Sequence, residues 1–336
     1  MSNKKIFFVL TVFLIVLAAV FFLIINPFGK KEQSKIYRVG LLQMASTVNA
    51  NIDGFKAGMK ELGYEEGKNI VYDYKNAEGN MDLLKKYAKE LVAESPDLIF
   101  TNTSPATQAM KDETANSTIP VVFSMVADPV RAGFVASIQS SGNNLSGTSC
   151  AYIDIAPKRL EFLKEAFPGI KRVLVFYRSA DKSGGPATEE IIKAGPKLGV
   201  QIIARPILSS DDIKAALKDL KPNEVDAMMD PADSMVTANV DSLVAASQRL
   251  KIPLMMLSDL EAEKGATITY GVDYFDLGKQ SSALADKILR GAKPAEIPIE
   301  MPRIFWTVVN LKAASQIGLN ISPDIIARAS HRILQD

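Results

Sequence analysis

The chain has 336 residues, 47% hydrophobic and 23% charged, a globular composition with length enough for two ordinary domains. Its 39 basic and 38 acidic residues leave a formal net charge of +1, which excludes a basic field for nucleic acid. One cysteine, Cys150, excludes an intrachain disulfide; one histidine, His331, excludes a multi-histidine zinc site and leaves any triad or Cys-His pair only that residue to use.

The first segment in chain order is apolar. Lys4 and Lys5 precede a run from Ile6 to Ile25 that only Thr11 interrupts, and Asn26, Pro27 and Gly29 end it. At about 1.5 Å per residue this run spans a bilayer core, and it exceeds the usual apolar region of a signal peptide. It carries no small-x-small cleavage site and no cysteine for a lipid. The reading is an N-terminal transmembrane helix acting as an uncleaved anchor, with a cleaved signal segment as the alternative. Both send residues 36–336 across the membrane.

From Ile36 onward, short β-rich runs alternate with amphipathic stretches, the pattern of an α/β fold with parallel sheets. Strands are expected near residues 38–43, 69–74, 97–101, 119–123 and 145–148. Helices are expected near 51–62, 81–94, 105–116 and 129–139. In the second of these helices Leu83, Leu84, Tyr87, Ala88 and Leu91 form an apolar face, while Lys85, Lys86, Lys89 and Glu90 face water.

The second half repeats the scheme. Strands are expected near 172–176, 201–206, 227–230, 252–257 and 267–271, and helices near 188–198, 210–218, 234–249 and 277–289. Leu62-Gly63-Tyr64 answers Leu198-Gly199-Val200, and Ile119-Pro120-Val121 answers Ile252-Pro253-Leu254. Two such units predict two doubly wound parallel-sheet lobes with a cleft between them. A proline-punctuated connector at 291–298, a strand at 307–310 and a helix at 311–317 then return the chain, so it crosses between lobes more than once and forms a hinge. The expected division is 1–35 as anchor and linker, 36–150 with about 273–302 as the first lobe, and 151–272 with about 303–336 as the second.

An ordered set of motifs then carries a resemblance. It comprises Gly54-Phe55 with Gly58, Leu62-Gly63-Tyr64-Glu65-Glu66-Gly67-Lys68-Asn69, Ile119-Pro120-Val121-Val122-Phe123, Asp128-Pro129-Val130, Asn144-Leu145-Ser146-Gly147, Tyr270-Gly271-Val272-Asp273-Tyr274 and Val309-Asn310-Leu311-Lys312-Ala313-Ala314. Over roughly residues 37–318 the chain resembles ABC-transporter substrate-binding proteins of the tryptophan/tyrosine-binding-like group. That resemblance implies the type I periplasmic-binding-protein fold, export, and a membrane permease with its ATPase subunit as partner. It leaves the ligand open, and the apolar anchor departs from the usual leader.

Ligands of doubly wound sheets lie beyond the carboxyl ends of the strands. Thr103 or Ser104 is expected to cap a helix starting at Pro105, whose amides and dipole suit a carboxylate. Gln43, after the first strand, offers both donor and acceptor to a polar solute. Asp128 either meets an amine or caps the next helix. In the second lobe Tyr177 covers an apolar side chain or packs in the core. Asp233, Ser258 and Asp259 are the polar candidates of the later loops, with Asp233 also placed to cap a helix. Tyr152 and Asp154 lie at the first crossing.

Motifs for chemistry are missing. There is no G-x-S-x-G, no H-E-x-x-H and no C-x-x-C, and Gly63 to Lys68 is one residue short of a P-loop. No catalytic residue, metal or cofactor is expected. The function that follows is an extracytoplasmic receptor, monomeric and anchored, that closes on a small organic solute, an amino acid or related carboxylate first. A sensor module built on the same clamp is the alternative, and a two-lobed enzyme such as a glycosyltransferase is a weaker one.

Overall fold

The structure is a computed structural model that describes residues 35–329 and 332–334. The apolar run 6–25 and His331 lie outside the described residues. Among the described residues no helix is long and apolar enough to cross a membrane.

The first sheet holds β1 (Tyr37–Gln43), β2 (Ile70–Asn76), β3 (Leu98–Asn102), β4 (Val121–Val126) and β5 (Leu145–Ser149). Their order is β2-β1-β3-β4-β5, and all pairs are parallel. Parallel strands must be buried on both faces, and these are. Leu42, Ile99 and Phe123 face a core with helices α2 (Met81–Ala93) and α3 (Thr103–Glu113). Val39, Leu41 and Phe100 face the opposite core beneath α1 (Asn49–Glu61).

The chain then enters a second sheet through residues 150–155 and helix α4 (Ala156–Ala166). In chain order come β6 (Arg172–Tyr177), α5 (Gly184–Ala194), β7 (Gln201–Pro206), α6 (Ser210–Asp219) and β8 (Ala227–Met229). There follow α7 (Ser234–Ala238), α8 (Val240–Leu250), β9 (Leu254–Met256), α9 (Asp259–Glu263) and β10 (Ile268–Gly271). Helix α10 (Tyr274–Leu289) returns to the first sheet, and β11 (Trp306–Asn310), α11 (Leu311–Gln316), α12 (Pro323–Arg328) and β12 (Arg332–Leu334) complete the second. The strand order is β12-β11-β10-β9-β8-β6-β7, parallel except where β10 meets β11.

Alternate residues of β6 divide the second core. Val173 and Val175 face α4 and α5, while Leu174 and Phe176 face α6 and α8. Helix α10 packs on α1 at very short range. A Cβ built on Gly54 would lie 1.9 Å from the Phe275 carbonyl oxygen, and one on Gly278 would lie 1.9 Å from that of Asn51. Between the helices and the sheet runs a buried polar chain. Asn51 Nδ2 donates to Ser124 Oγ at 3.0 Å and to the Tyr274 carbonyl at 3.0 Å, and the Thr148 hydroxyl bonds Ser124 at 3.1 Å and Ser281 at 2.8 Å.

Four local expectations are corrected. Residues 129–139 form turns rather than a helix. Gly133 takes φ +73°, and the amides of Phe134 and Val135 both return to the Pro129 carbonyl, so the chain coils in place to bury those two side chains. Helix α3 begins at Thr103 rather than Pro105, with Asn102 as its N-cap. The stretch 234–249 splits at Asn239, whose Nδ2 donates to the Met235 carbonyl and to Ser210 Oγ, both at 2.8 Å. The stretch 188–198 starts earlier, at Gly184, and tightens to a 3-10 turn at Gly195-Pro196. Helices α4, α9 and α12 and strand β12 have no counterpart in the sequence reading.

Candidate functional site

Strained backbone occurs at both ends of the strands, with Ser95, Asn223 and Lys251 before β3, β8 and β9, and five further positions at the carboxyl ends. Glu78, Thr103, Met125, Ala151 and Ala232 are non-glycine residues with φ between +48° and +71°. They follow, or lie in, β2, β3, β4, β5 and β8. Such positions cost about 1–3 kcal/mol each and persist where the surroundings over-determine them, as ligand clamps do.

On the first lobe Gln43 is fully buried at the end of β1. Its Nε2 donates to the Ala45 carbonyl and to Asn49 Oδ1, both at 2.6 Å, and its Oε1 accepts from Asn102 Nδ2 at 3.3 Å. It therefore ties the end of β1 to the end of β3 and the start of α1. Asn102, fully buried, has an Oδ1 without a partner, and Thr103 beside it has a buried hydroxyl without one. No side chain caps α3, whereas Asn80 caps α2 and Asp273 caps α10. Ser104 is half-buried in the first turn of α3. Asp128 caps no helix, because none follows it. Its Oδ1 accepts the Arg131 amide at 2.8 Å, and the Arg131 guanidinium lies 3.7 Å from Oδ2.

On the second lobe Tyr177 is half-buried at the end of β6. Asp233 is fully buried, and its oxygens are already taken. They accept the Arg178 amide at 2.8 Å, Arg178 Nε at 3.0 Å and the Met235 amide at 2.9 Å. Arg178 Nη2 also reaches Asp181 at 2.7 Å and Ser234 Oγ at 2.9 Å. Asp233 thus holds Arg178 in place. Ser258 is buried; its amide and hydroxyl both donate to Glu261 Oε2 at 2.7 Å, forming the capping box of α9. Asp259 is the next residue and lines a recess with Trp306.

The candidates fall into local groups. Gln43, Thr103 and Ser104 adjoin on the first lobe; Tyr177 and Asp233 adjoin on the second, joined by Arg178. Ser258 and Asp259 stand apart on the side of the crossings, and Asp128 is on the rim. The lobes touch at that rim: Lys182 Nζ donates to the Ala132 carbonyl at 3.4 Å and lies 5.7 Å from the centre of the Phe134 ring. At the first crossing, burial of Asp154, and next the Asp128 carboxylate, raise its carboxyl above the ordinary value. Cys150, also there, is buried, and burial pushes its thiol up to about 12.

Arg159 was not legible as a site residue; Asp230, which the sequence places with Asp233 in the loop after β8, is tied to it. Arg159, on α4, is fully buried and donates to the carbonyls of Asp230 at 2.8 Å and Met256 at 2.9 Å, at the carboxyl ends of β8 and β9. Asp230 accepts the amides of Ala232 at 2.8 Å and Asp233 at 3.1 Å and the Thr237 hydroxyl at 2.6 Å. Burial pushes its carboxyl up to about 7, although the Thr237 hydroxyl and Arg159 pull the other way. Burial also raises Glu261.

A folded-state value above the unfolded one favours the fold while the carboxyl is protonated. The contribution of Asp230 is therefore complete below about pH 4 and is lost as pH rises through about 7. Asp230→Asn is expected to flatten the fall in stability over that window, measured by urea midpoints at successive pH values. An unchanged pH slope in the variant would contradict this account of Asp230.

Comparison with known proteins follows the same lines. The family described as ABC transporter substrate binding protein matches residues 39–333. A tyrosine-binding protein of Clostridioides difficile (strain R20291) is 27% identical over 276 residues, covering 82% of this chain and 79% of that protein. The crystal structure of a conserved domain protein from Vibrio cholerae is 28% identical with a TM-score of 0.80, over 89% of this chain and all of that one. A Streptococcus pneumonia ABC domain crystallised with L-Trp shares the fold, with a TM-score of 0.81 at 24% identity, over 89% of this chain and all of that one. The two doubly wound sheets are those of a type I periplasmic binding protein, and the matching family is one of substrate-binding proteins, not enzymes. With the family match spanning both lobes, the chain belongs to the ABC transporter substrate binding protein family.

Proposed function

We propose that the protein is the extracytoplasmic receptor of an ABC importer, monomeric and tethered by residues 6–25. On this reading it closes residues 36–150 with about 273–302 against 151–272 with about 303–336. The solute is an amino acid, with an aromatic side chain favoured by the tyrosine-binding relative. One observation carries the amino-acid reading: the start of α3 has no capping side chain, and Thr103 Oγ1 beside it is buried without a partner. Uncapped amides at a helix start, with the helix dipole behind them, favour a carboxylate. Across the cleft, Arg178 sits between Asp181 and Asp233, so this group keeps a net negative charge and favours an ammonium. Tyr177 and Ser104 supply the flanks, and Asp128, Ser258 and Asp259 belong to the rim and the hinge side.

A ligand shifts the clamp only through contacts it makes in the closed form. Calorimetry on the full-length protein in a non-ionic detergent tests the reading, with L-tyrosine, L-tryptophan and glucose as probes. Binding of an aromatic amino acid is expected. Thr103→Val keeps the β-branched shape at φ +69° and removes only the hydroxyl. It is expected to weaken binding tenfold or more, the effect of losing about 1.5–3 kcal/mol from a hydrogen bond to a charged group. Tight binding of glucose with none of either amino acid overturns the solute, and wild-type affinity in Thr103→Val overturns the placement.

A further inference from the structure

The loop after β8 is built around a carboxylate with no part in the reading above. Ala232 takes φ +71° there, a conformation that a non-glycine residue keeps only where its surroundings hold it. Asp230 supplies the hold: its Oδ1 accepts the amides of Ala232 at 2.8 Å and Asp233 at 3.1 Å. Its Oδ2 accepts the Thr237 hydroxyl of α7 at 2.6 Å. That hydroxyl has a second acceptor in reach, the Asp233 carbonyl at 3.1 Å. A hydroxyl carries one proton and donates to one acceptor at a time. Facing an ionised Asp230, it donates to the carboxylate, the shorter contact. A protonated Asp230 must itself donate, and Thr237 then accepts from it and turns its own proton to the Asp233 carbonyl.

The state of this loop passes to Arg178. Asp233 is packed so closely that a Cβ on Gly184 would lie 2.5 Å from its own Cβ. Its carboxylate accepts the Arg178 amide at 2.8 Å and Arg178 Nε at 3.0 Å, and Arg178 directly follows β6. Displacing the Asp233 backbone therefore displaces Arg178. The charged groups that face Asp230 from packed elements are Arg159 of α4 and Glu261 of α9. Ionised, Asp230 adds one negative charge to the neighbourhood of Asp233, which Arg178 joins to Asp181.

We propose that Asp230 and Thr237 are positioning residues for the solute, acting through Asp233 on Arg178, with ionised Asp230 as the binding-competent form. This role rests on the reading that the solute presents an ammonium to the Arg178 group. The ionised carboxylate is the stronger acceptor for the amides of Ala232 and Asp233, and it adds the charge that an ammonium favours. Linkage is reciprocal, so solute binding expels the proton of Asp230 to the extent that ionised Asp230 favours the solute. Burial pushes that carboxyl up to about 7, which brings both effects to neutral pH.

The full-length protein in a non-ionic detergent is titrated by calorimetry with L-tyrosine and L-tryptophan, whose own charges do not change over the range used. Affinity of the wild type is expected to be complete above a pH of about 7 and to fall about fivefold or more by about 5.5. Asp230→Asn, which mimics the protonated form, is expected to bind as the acidic wild type does and without this slope. Thr237→Val removes the hydroxyl that pulls the Asp230 carboxyl down, so its fall begins at higher pH, while Thr237→Ser stays near wild type. At a pH of about 7 the wild type releases protons on binding, read as a difference in heat between phosphate and imidazole buffers, and Asp230→Asn releases none. Hydrogen exchange of the Ala232 and Asp233 amides without solute reads the positioning separately; it is expected to be faster in Thr237→Val than in wild type and Thr237→Ser. The role is overturned by the same pH slope in Asp230→Asn as in wild type, or by unchanged exchange in Thr237→Val. Failure of the wild type to bind either amino acid at any pH overturns the solute reading and this role with it, whereas binding without the slope overturns this role alone.

Discussion

Arg159→Met is expected to lower the stability of the protein by about 3–5 kcal/mol, the usual loss when one partner of a buried charged network is removed. Arg159 is fully buried and bonds the last carbonyls of two adjacent strands, at Asp230 and Met256. Methionine fills similar space and leaves both carbonyls without a donor, each of which costs about 1–3 kcal/mol. It also removes the positive charge beside buried Asp230 and Glu261. The deficit should shrink as pH falls from about 7 to about 4, because protonation neutralises Asp230, which Arg159 offsets. Arg159→Lys keeps the charge, but one ammonium replaces a planar fork, so an intermediate loss is expected. Urea unfolding of the three proteins at several pH values measures this. A methionine variant within about 1 kcal/mol of wild type, as for an ordinary surface change, would show that the strand ends do not depend on this arginine.

Gly278→Ala is the second large effect. In an open helix the change would stabilise by about 1 kcal/mol, since alanine is the better helix former. Here the new Cβ meets the Asn51 carbonyl oxygen at 1.9 Å and its carbon at 2.8 Å. Backbone cannot rotate away as a side chain can, so α10 must lift from α1. Lifting disturbs Leu277, Leu284, Ala285 and Ile288, all buried on α10. Overpacking of this kind costs about 1–3 kcal/mol or more, which outweighs the propensity gain. Net destabilisation by at least about 1 kcal/mol is expected, with the same sign for Gly54→Ala, whose Cβ would meet the Phe275 carbonyl. Thermal unfolding of each variant decides the sign, and a raised midpoint in either would mean that the helices are not in register as described. Because α10 begins at the crossing from the second lobe, its loss would also loosen the hinge.

Much of the fold was legible because its signals are local. The strand at 201–206 followed from a short β-rich run and the helix face of Leu84, Ala88 and Leu91 from a 3.6-residue period, and the structure has them as β7 and α2. Two sheets followed from the repeat. The turns at 129–139 were misread because Val130, Phe134, Val135 and Ile138 are spaced as on a helix. Burial of Phe134 and Val135 is achieved there without one. Helix α4 was missed because its buried face includes Arg159, a residue that periodicity assigns to water.

The candidate site was legible by position and not by role. Every candidate lies near a strand's carboxyl end, since topology alone places loops there. Which of them holds another side chain, as Asp233 holds Arg178 and Gln43 holds Asn102, depends on partners 55 and 59 residues away. The sequence by itself determined the α/β alternation, the two-unit plan and the family resemblance, because hydrophobic period and turn chemistry act over a few residues. Only the tertiary structure decided that α3 starts uncapped at Thr103, that Arg159 ties β8 to β9, and that α1 and α10 meet through glycine. Each of these is set by contacts between distant segments, where burial removes water and leaves every polar group to find its partner within the protein.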